Sequence, residues 1–156
     1  MADAGPAFRE PTPLERVFNR AFGALVGLGV APRDYYLLQV KGRKSGRVYG
    51  TPVSLVSLHG MWFLVAPRGR TQWVRNAEAS NEIVLKRGSN RRRFGLRALA
   101  DADKPPVLQA YLERYRSVVQ RYFPVPAGSP AGAFAEIAAR YPVFELVPLA
   151  GTAADR

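Results

Sequence analysis

A basic turn bounded by two glycines constrains this chain more than any other stretch. Gly42-Arg43-Lys44-Ser45-Gly46 separates an apolar run at residues 35–41 from a second run at residues 50–58, which predicts strand, turn and strand. Glycine allows a tight turn and a close approach of the backbone to a ligand. Consecutive N–H groups in such a turn can form a concave site for an anion, which predicts a phosphate or polyanion site. Taken alone, the turn favours the simpler alternative of a solvated hairpin tip.

Two familiar phosphate-binding motifs are excluded. A P-loop requires a helix directly after its Gly-Lys-Ser/Thr, whereas β-branched and apolar residues follow this turn. A dinucleotide fingerprint requires Gly-x-Gly-x-x-Gly at the start of a helix after the first strand, and no such pattern occurs there.

A second informative stretch follows the predicted strand at residues 62–66. Ala66-Pro67-Arg68-Gly69 leads to Thr71, a candidate N-cap, and then to a short predicted helix that begins near Trp73 and includes Asn76. The N-terminus of a helix suits an anion or an electron-rich carbonyl group. Trp73 offers a flat surface for a ring system, although a lone tryptophan is more often a core or interface residue.

The two stretches together carry a resemblance. In this order and at this separation, from about residue 37 to residue 85, the chain resembles the deazaflavin-dependent nitroreductase family. The resemblance implies an α+β fold, a split β-barrel (FMN-binding-like) with antiparallel strands, an N-terminal helix and C-terminal helices. It also implies that coenzyme F-420, an 8-hydroxy-5-deazaflavin, supplies hydride to a nitroaromatic, quinone or similar acceptor. The coenzyme then carries the chemistry, and we expect no catalytic acid or nucleophile and no metal.

The resemblance assigns roles to residues of both stretches. The glycine turn holds the phosphate and polyglutamate tail, the Thr-Pro strand and Ala66 lie against the ring, and the helix closes the pocket. Tyr49 stands where family members often carry a basic residue, and the loop before Trp73 is short, so Arg68 and other arginines are expected to contribute to tail binding. The implied coenzyme-binding residues are Arg43, Lys44, Ser45, Arg47, Thr51, Pro52, Ala66, Arg70, Trp73 and Asn76, and Tyr111 and Tyr115 are implied to line the acceptor pocket.

Composition is consistent with one compact domain. The chain has 156 residues, no cysteine and a single histidine, which leaves no disulfide, thiolate metal site or Ser-His-Asp triad to expect. His59 precedes Gly60 in a predicted hairpin turn and is interpreted as a turn residue. We expect one split-barrel domain at residues 14–149 between flexible ends at residues 1–13 and 150–156.

Periodicity predicts the remaining elements. Strands are expected at about residues 35–41, 50–58, 62–66, 83–87 and 92–99, and a last strand near residues 141–147 could close the barrel. Helical spacing predicts helices at residues 12–28, at about residues 105–122 and at residues 131–140. The helix at residues 12–28 is basic and amphipathic. We favour its packing on the barrel or on a partner subunit over peripheral contact with an anionic membrane.

The net charge of +11 suits polyanions. Its densest cluster lies at residues 86–93, a predicted hairpin that we interpret as a solvated basic tip. No nucleic-acid-binding signature accompanies it, so we do not expect nucleic acid as a partner. With no signal peptide and no apolar run of about 20 residues, a cytoplasmic location is expected.

Barrels of this type often bury one face in a homodimer, so a homodimer is also expected. Two rival functions stay open at this point. One is a split-barrel protein that binds a flavin (FMN or FAD) or haem, because a fold does not fix its cofactor. The other is a non-catalytic module that binds a lipid or polyanion.

Overall fold

The fold is a closed barrel of six antiparallel strands. The computed structural model describes residues 35–149. Its strands are β1 (Tyr35–Lys41), β2 (Val48–Leu58), β3 (Met61–Val65), β4 (Glu82–Arg87), β5 (Asn90–Ala98) and β6 (Val143–Pro148), and its helices are α1 (Gln72–Ser80), α2 (Pro105–Val119) and α3 (Ala131–Ala135). Around the barrel the order is β1-β2-β3-β6-β5-β4.

The predicted split-barrel fold is confirmed in this part of the chain. β6 pairs with both β3 and β5 and thereby closes the barrel, as its sequence suggested. The predicted helix at residues 12–28 and the two predicted flexible ends lie outside the described residues. Within residues 35–149, none of the helices is both long enough and apolar enough to cross a bilayer.

Several predicted boundaries need correction. β2 begins at Val48 rather than at residue 50, because pairing with β1 continues to Lys41. The long helix ends at Val119 and is followed by a 3-10 turn, Gln120–Tyr122. The single helix predicted at residues 131–140 consists of α3 and a separate 3-10 turn, Ala138–Arg140.

Alternation along the strands divides the apolar side chains between two clusters. On β3, Leu64 belongs to one cluster with Leu38 and Phe144, which come from opposite walls of the barrel. Its neighbours Phe63 and Val65 belong to a second cluster with side chains of α2 and α3. Successive strand residues point to opposite faces, so one strand supplies both clusters. The helices of the C-terminal half are therefore anchored on the outer face of the barrel.

The β2–β3 connection is a tight hairpin turn. His59 and Gly60 have φ angles of 53° and 76°. A two-residue hairpin loop with both φ angles positive matches the twist of the flanking strands, and glycine supplies one of them without strain. The interpretation of His59 as a turn residue is confirmed.

α2 is kinked at Tyr115, which has φ −113° and ψ 20° instead of helical angles. The Tyr115 hydroxyl donates a hydrogen bond to the carbonyl oxygen of Leu55 on β2. The kink separates the first part of the helix, which packs on the barrel, from the last turn, which leads to the 3-10 turn at Gln120–Tyr122.

Arginines of the β4–β5 hairpin make contacts on the sheet. Arg93 forms an ion pair with Glu82 at 2.6 Å, and Arg91 donates to the side chain of Gln39 at 2.8 Å. Arg87 donates to the carbonyl oxygen of Tyr35 at 2.9 Å. These arginines join β5 to β4 and the β4–β5 hairpin to β1, in addition to any effect on solubility.

Candidate functional site

One large cavity lies beside the β1–β2 turn. It has a volume of about 800 Å³, within the range of small-molecule sites. Its walls come from that turn, the first half of β2, the loop before α1, the first turns of α1 and the end of α2. The lining residues include Tyr35, Arg43, Lys44, Ser45, Thr51, Pro52, Val65, Ala66, Arg68, Trp73, Asn76, Tyr111, Val119, Arg121 and Tyr122.

Charge in this cavity has one sign. Arg43, Lys44, Arg68 and Arg121 line it, and no aspartate or glutamate does so among the described residues. Cationic walls raise the local concentration of anions and favour their binding. The cavity is therefore suited to a ligand that carries negative charge.

The glycine turn is tight, as predicted. The Gly42 N–H donates to the Arg47 carbonyl at 2.7 Å, and the Gly46 N–H donates to the Gly42 carbonyl at 3.0 Å. Gly46 has φ +71°, a conformation that residues with a Cβ adopt only with strain. A Cβ on Gly42 would lie 2.7 Å from Cε2 of Tyr49, so side chains crowd this position as well.

Arg43 fastens the turn to α1. Its backbone N–H donates to Oδ1 of Asn76 at 3.1 Å, and its guanidinium Nη1 donates to the same oxygen at 2.7 Å. The same Nη1 also donates to Oε1 of Gln72 at 3.1 Å. The two stretches singled out in the sequence are thus joined by direct hydrogen bonds.

Ser45 organises the other side of the turn. Its hydroxyl accepts a hydrogen bond from the backbone N–H of Arg47 at 3.2 Å, and the same oxygen lies 3.2 Å from the hydroxyl of Tyr49. Tyr49 occupies the place where the resemblance leads one to expect a cation. Its ring lines the cavity and its hydroxyl is engaged with the turn.

Thr71 is the N-cap residue of α1, but its side chain does not cap the helix. Its Oγ1 is buried and has no hydrogen-bond partner within residues 35–149. Thr71 lines the cavity. A buried hydroxyl without a partner costs free energy, and a polar ligand atom at this position would remove that cost.

Trp73 is half-buried at the wall of the cavity. Its ring packs against Phe144 of β6, with ring centroids 6.4 Å apart and a tilt of 58°. Contact with the barrel on one side restrains the indole, which also lines the cavity. Trp73 therefore combines the two positions expected from the sequence: it contacts the core on one side and forms part of the cavity wall on the other.

Tyrosines gather at the α2 end of the cavity. Tyr111 and Tyr115 are both buried, and Tyr111 lines the cavity whereas Tyr115 does not. Burial raises the pKa of Tyr111 above its ordinary value, and a hydrogen bond with Ser54 offsets part of this effect. Burial also raises the pKa values of Tyr35 and Tyr115. The Tyr111 hydroxyl therefore stays protonated at neutral pH.

The structure brings most of the predicted site residues together. Three do not line the cavity: Arg47, Tyr115 and Arg70. Arg70 instead forms a two-point ion pair with Glu78 on α1, with distances of 3.1 and 2.9 Å. The predicted site residues that line the cavity are Arg43, Lys44, Ser45, Thr51, Pro52, Ala66, Trp73, Asn76 and Tyr111.

Sequence reasoning missed the far wall of the cavity. Tyr35 lies at the start of β1, and Arg121 and Tyr122 lie in the 3-10 turn after α2. The Arg121 guanidinium donates to the Tyr122 hydroxyl at 2.7 Å. No motif marks these positions: the pairing of β1 with β2 places Tyr35 at the cavity, and the packing of α2 on the barrel brings Arg121 and Tyr122 there.

The chain is a split-barrel protein with a cationic cavity beside its β1–β2 turn. Comparison with known families identifies the family. The model of the F420H(2)-dependent quinone reductase family matches residues 14–125, and the chain belongs to this family. It is therefore an oxidoreductase that uses coenzyme F420 for deazaflavin-dependent reduction. A search of curated proteins finds no match.

Solved structures show the same fold. An F420-H2 dependent reductase (FDR-A) is similar with a TM-score of 0.50 and 20% identity over 73% of this chain and 94% of that chain. A domain-swapped dimer is similar with a TM-score of 0.52 and 18% identity over 86% of this chain and 99% of that one. A protein of unknown function from Agrobacterium tumefaciens has a TM-score of 0.53 and 16% identity, over 92% of this chain but only 57% of its own length.

The cavity residues fit this coenzyme. A deazaflavin with an anionic tail requires a flat, largely apolar space and cations at one end. The cavity offers the indole of Trp73 and the Thr51-Pro52 segment, and the cations Arg43 and Lys44 lie at the glycine turn. The buried Oγ1 of Thr71 adds a polar atom that no described protein group satisfies.

Proposed function

We propose that this cavity binds reduced F420 and an organic acceptor together, and that the acceptor is a quinone. The observation that carries the proposal is the joint lining of one cavity by the cationic turn, the aromatic wall at Trp73 and the tyrosines of the opposite end, Tyr35, Tyr111 and Tyr122. When bound, the coenzyme supplies a hydride. The protein holds and orients both molecules and keeps water from the reacting atoms.

The turn at residues 42–46 is the proposed site of the coenzyme's anionic tail. Lys44 is exposed, lines the cavity and has no hydrogen-bond or ion-pair partner among the described residues. A lysine is a mobile point charge, so Lys44 can follow a flexible tail. Backbone N–H groups of the turn and the N-terminal end of α1 add partial positive charge at this end.

The acceptor is proposed to lie at the tyrosine-rich end. Tyr35, Val65 and Val119 supply apolar contact area, and Tyr111 supplies a protonated hydroxyl. Hydride transfer to a quinone places negative charge on a carbonyl oxygen. A hydroxyl with a raised pKa can donate a hydrogen bond to that oxygen across the neutral pH range. A nitro oxygen accepts the same hydrogen bond, so the choice of a quinone is supported by the family to which the chain belongs.

Fluorescence titration with F420, beside FMN as a control, measures coenzyme binding. We expect saturable binding of F420 and none of FMN. Turnover of reduced F420 is then followed anaerobically with menadione and with a nitroaromatic compound. A higher kcat/KM for menadione supports the quinone acceptor, whereas turnover of the nitroaromatic compound alone would reject it.

We also propose a single domain at residues 14–149 and a homodimer. Support for the domain comes from the closed barrel, whose last strand is Val143–Pro148. Support for the dimer comes from the similar structure that is a domain-swapped dimer. Light scattering after size-exclusion chromatography tests the dimer, and a mass equal to one chain would reject it.

A further inference from the structure

Asn76 is buried in the first half of α1, with 5% of its surface exposed. Its Oδ1 accepts two hydrogen bonds from one residue of the glycine turn, at 3.1 Å from the Arg43 N–H and at 2.7 Å from the Arg43 guanidinium. An amide oxygen has two lone pairs and can accept both bonds at once. One buried atom of the helix therefore fixes both the backbone and the side chain of Arg43.

These contacts restrict a residue that would otherwise be mobile. Arg43 is exposed on a turn, where a long side chain samples many rotamers. The bond to its backbone N–H also fixes the peptide plane between Gly42 and Arg43. The orientation of the turn relative to α1 is thus set before any ligand binds. Pre-organisation of this kind raises affinity, because less ordering remains to occur on binding.

We propose that Asn76 is a positioning residue for coenzyme binding, and that it acts through Arg43. The inference rests on the proposed function, in which the turn holds the anionic tail. It departs from the role implied by the family resemblance, in which Asn76 lies on the helix that closes the pocket. Here Oδ1 of Asn76 is occupied by Arg43, and the affinity for the coenzyme depends on the geometry that this contact imposes.

A double-mutant cycle tests the inference. The variants are Asn76→Ala, Arg43→Ala and the two combined, and the measured quantity is the Kd for F420 by fluorescence titration. We expect Asn76→Ala to raise Kd about tenfold in the wild-type background and only about threefold in the Arg43→Ala background, where the bond to the backbone N–H of residue 43 is all that remains to be lost. An equal loss in both backgrounds would overturn the inference, because Asn76 would then not act through the side chain of Arg43.

Two further readouts separate positioning from a general structural role. Asn76→Ala is expected to raise the KM for reduced F420 while kcat stays within about twofold, because the turn lies away from the proposed acceptor end. The dependence of Kd on salt is expected to become shallower, because one cation no longer contributes fully. A fall in kcat at unchanged KM would contradict the inference.

A second variant guards against misfolding of Asn76→Ala. Arg43→Lys lies on an exposed turn and keeps the positive charge and the backbone bond, but its shorter side chain does not place a donor where the guanidinium Nη1 contacts both Asn76 and Gln72. A several-fold rise in Kd is expected, and wild-type affinity would overturn the inference.

Lys44→Ala separates the two proposals. If Lys44→Ala leaves Kd unchanged, the turn does not hold the coenzyme and the proposed function of this site fails. If Lys44→Ala weakens binding while the cycle is additive, only the role of Asn76 fails.

Discussion

Tyr111 and Tyr115 lie one helical turn apart on α2, and their ring centroids are 5.3 Å apart, yet their hydroxyls have different surroundings. Tyr111 lines the cavity and hydrogen-bonds Ser54, whereas the Tyr115 hydroxyl donates to the main-chain carbonyl of Leu55. One tyrosine is therefore placed to contact a ligand, and the other joins α2 to the barrel.

Removal of the Tyr111 hydroxyl is expected to slow the reaction. In Tyr111→Phe the proposed hydrogen bond to the acceptor oxygen is lost, and kcat with menadione should fall about tenfold, equivalent to about 1.4 kcal/mol. Steady-state kinetics at saturating F420 measure this change. The Kd for F420 serves as the control and should stay within about twofold. A kcat equal to that of the wild type would remove Tyr111 from the acceptor site.

Removal of the Tyr115 hydroxyl is expected to affect stability instead. Tyr115→Phe leaves a buried carbonyl oxygen without this donor, so the free energy of unfolding should fall by about 1 kcal/mol. Urea denaturation followed by circular dichroism measures the change. Since Tyr115 does not line the cavity, kcat should stay near the wild-type value. A large loss of kcat without a loss of stability would contradict the assignment.

The charge of Lys44 is expected to contribute directly to coenzyme binding. Lys44→Ala should raise the Kd for F420 about tenfold at low salt, and the difference should shrink as salt screens the tail. Arg75→Ala is the matched control, because it removes the same charge from an exposed position on α1 outside the cavity lining. Equal effects of the two variants would indicate only a dependence on net charge.

Two glycines are expected to respond in opposite ways to alanine. At Gly42 a Cβ would lie 2.7 Å from the Tyr49 ring and 3.3 Å from the Arg47 carbonyl oxygen, so the ring or the turn must shift. Gly42→Ala should lower the free energy of unfolding by about 1 kcal/mol and weaken F420 binding. At Gly132 on α3 a Cβ meets open space, so Gly132→Ala should add about 0.5 kcal/mol. Thermal unfolding and titration of both variants test the pair.

Alkaline pH is expected to destabilise the protein through its buried tyrosines. Burial raises the pKa values of Tyr35, Tyr111 and Tyr115 above the ordinary value of 10.0. Above about pH 10 the unfolded chain releases these protons while the folded chain retains them, so the free energy of unfolding falls as pH rises. Urea midpoints below and above this pH measure the effect. Tyr111→Phe should show a weaker pH dependence, and an unchanged dependence would contradict this explanation.

Local patterns in the sequence were enough to predict the strands of the barrel and the part of the site formed by the glycine turn and Trp73. Alternation gave the strands, and the glycines at positions 42 and 46 marked a turn whose geometry depends on them. The order of the two motifs then placed Trp73 beside that turn. These features are local, because a turn, a strand and a short helix each depend on neighbouring residues.

The second half of the site depends on packing that is not local. Tyr111 and Tyr115 share one helical face, so periodicity cannot tell which hydroxyl reaches a cavity. Arg68 and Arg70 are two residues apart, and only an ion pair with Glu78 on α1 directs Arg70 away from the cavity. Arg121 reaches the cavity because the chain turns after α2, which no pattern in the sequence indicates.

The kink at Tyr115 divides α2 into a first part that packs on the barrel and a last turn that contributes to the cavity wall. Before the kink, Val107, Leu108 and Leu112 are packed in the second cluster, between α2 and the outer face of the barrel, where substitutions lower stability. After it, Val118 is 55% exposed and lines the cavity together with Arg121 and Tyr122. Changes at the exposed Val118 and Arg121 alter the shape and charge of the cavity wall while the barrel and the glycine turn stay intact, whereas Val119 in the same segment is also part of the core. With the acceptor at the proposed end of the cavity, substitutions in this segment are expected to change acceptor preference without a loss of the coenzyme.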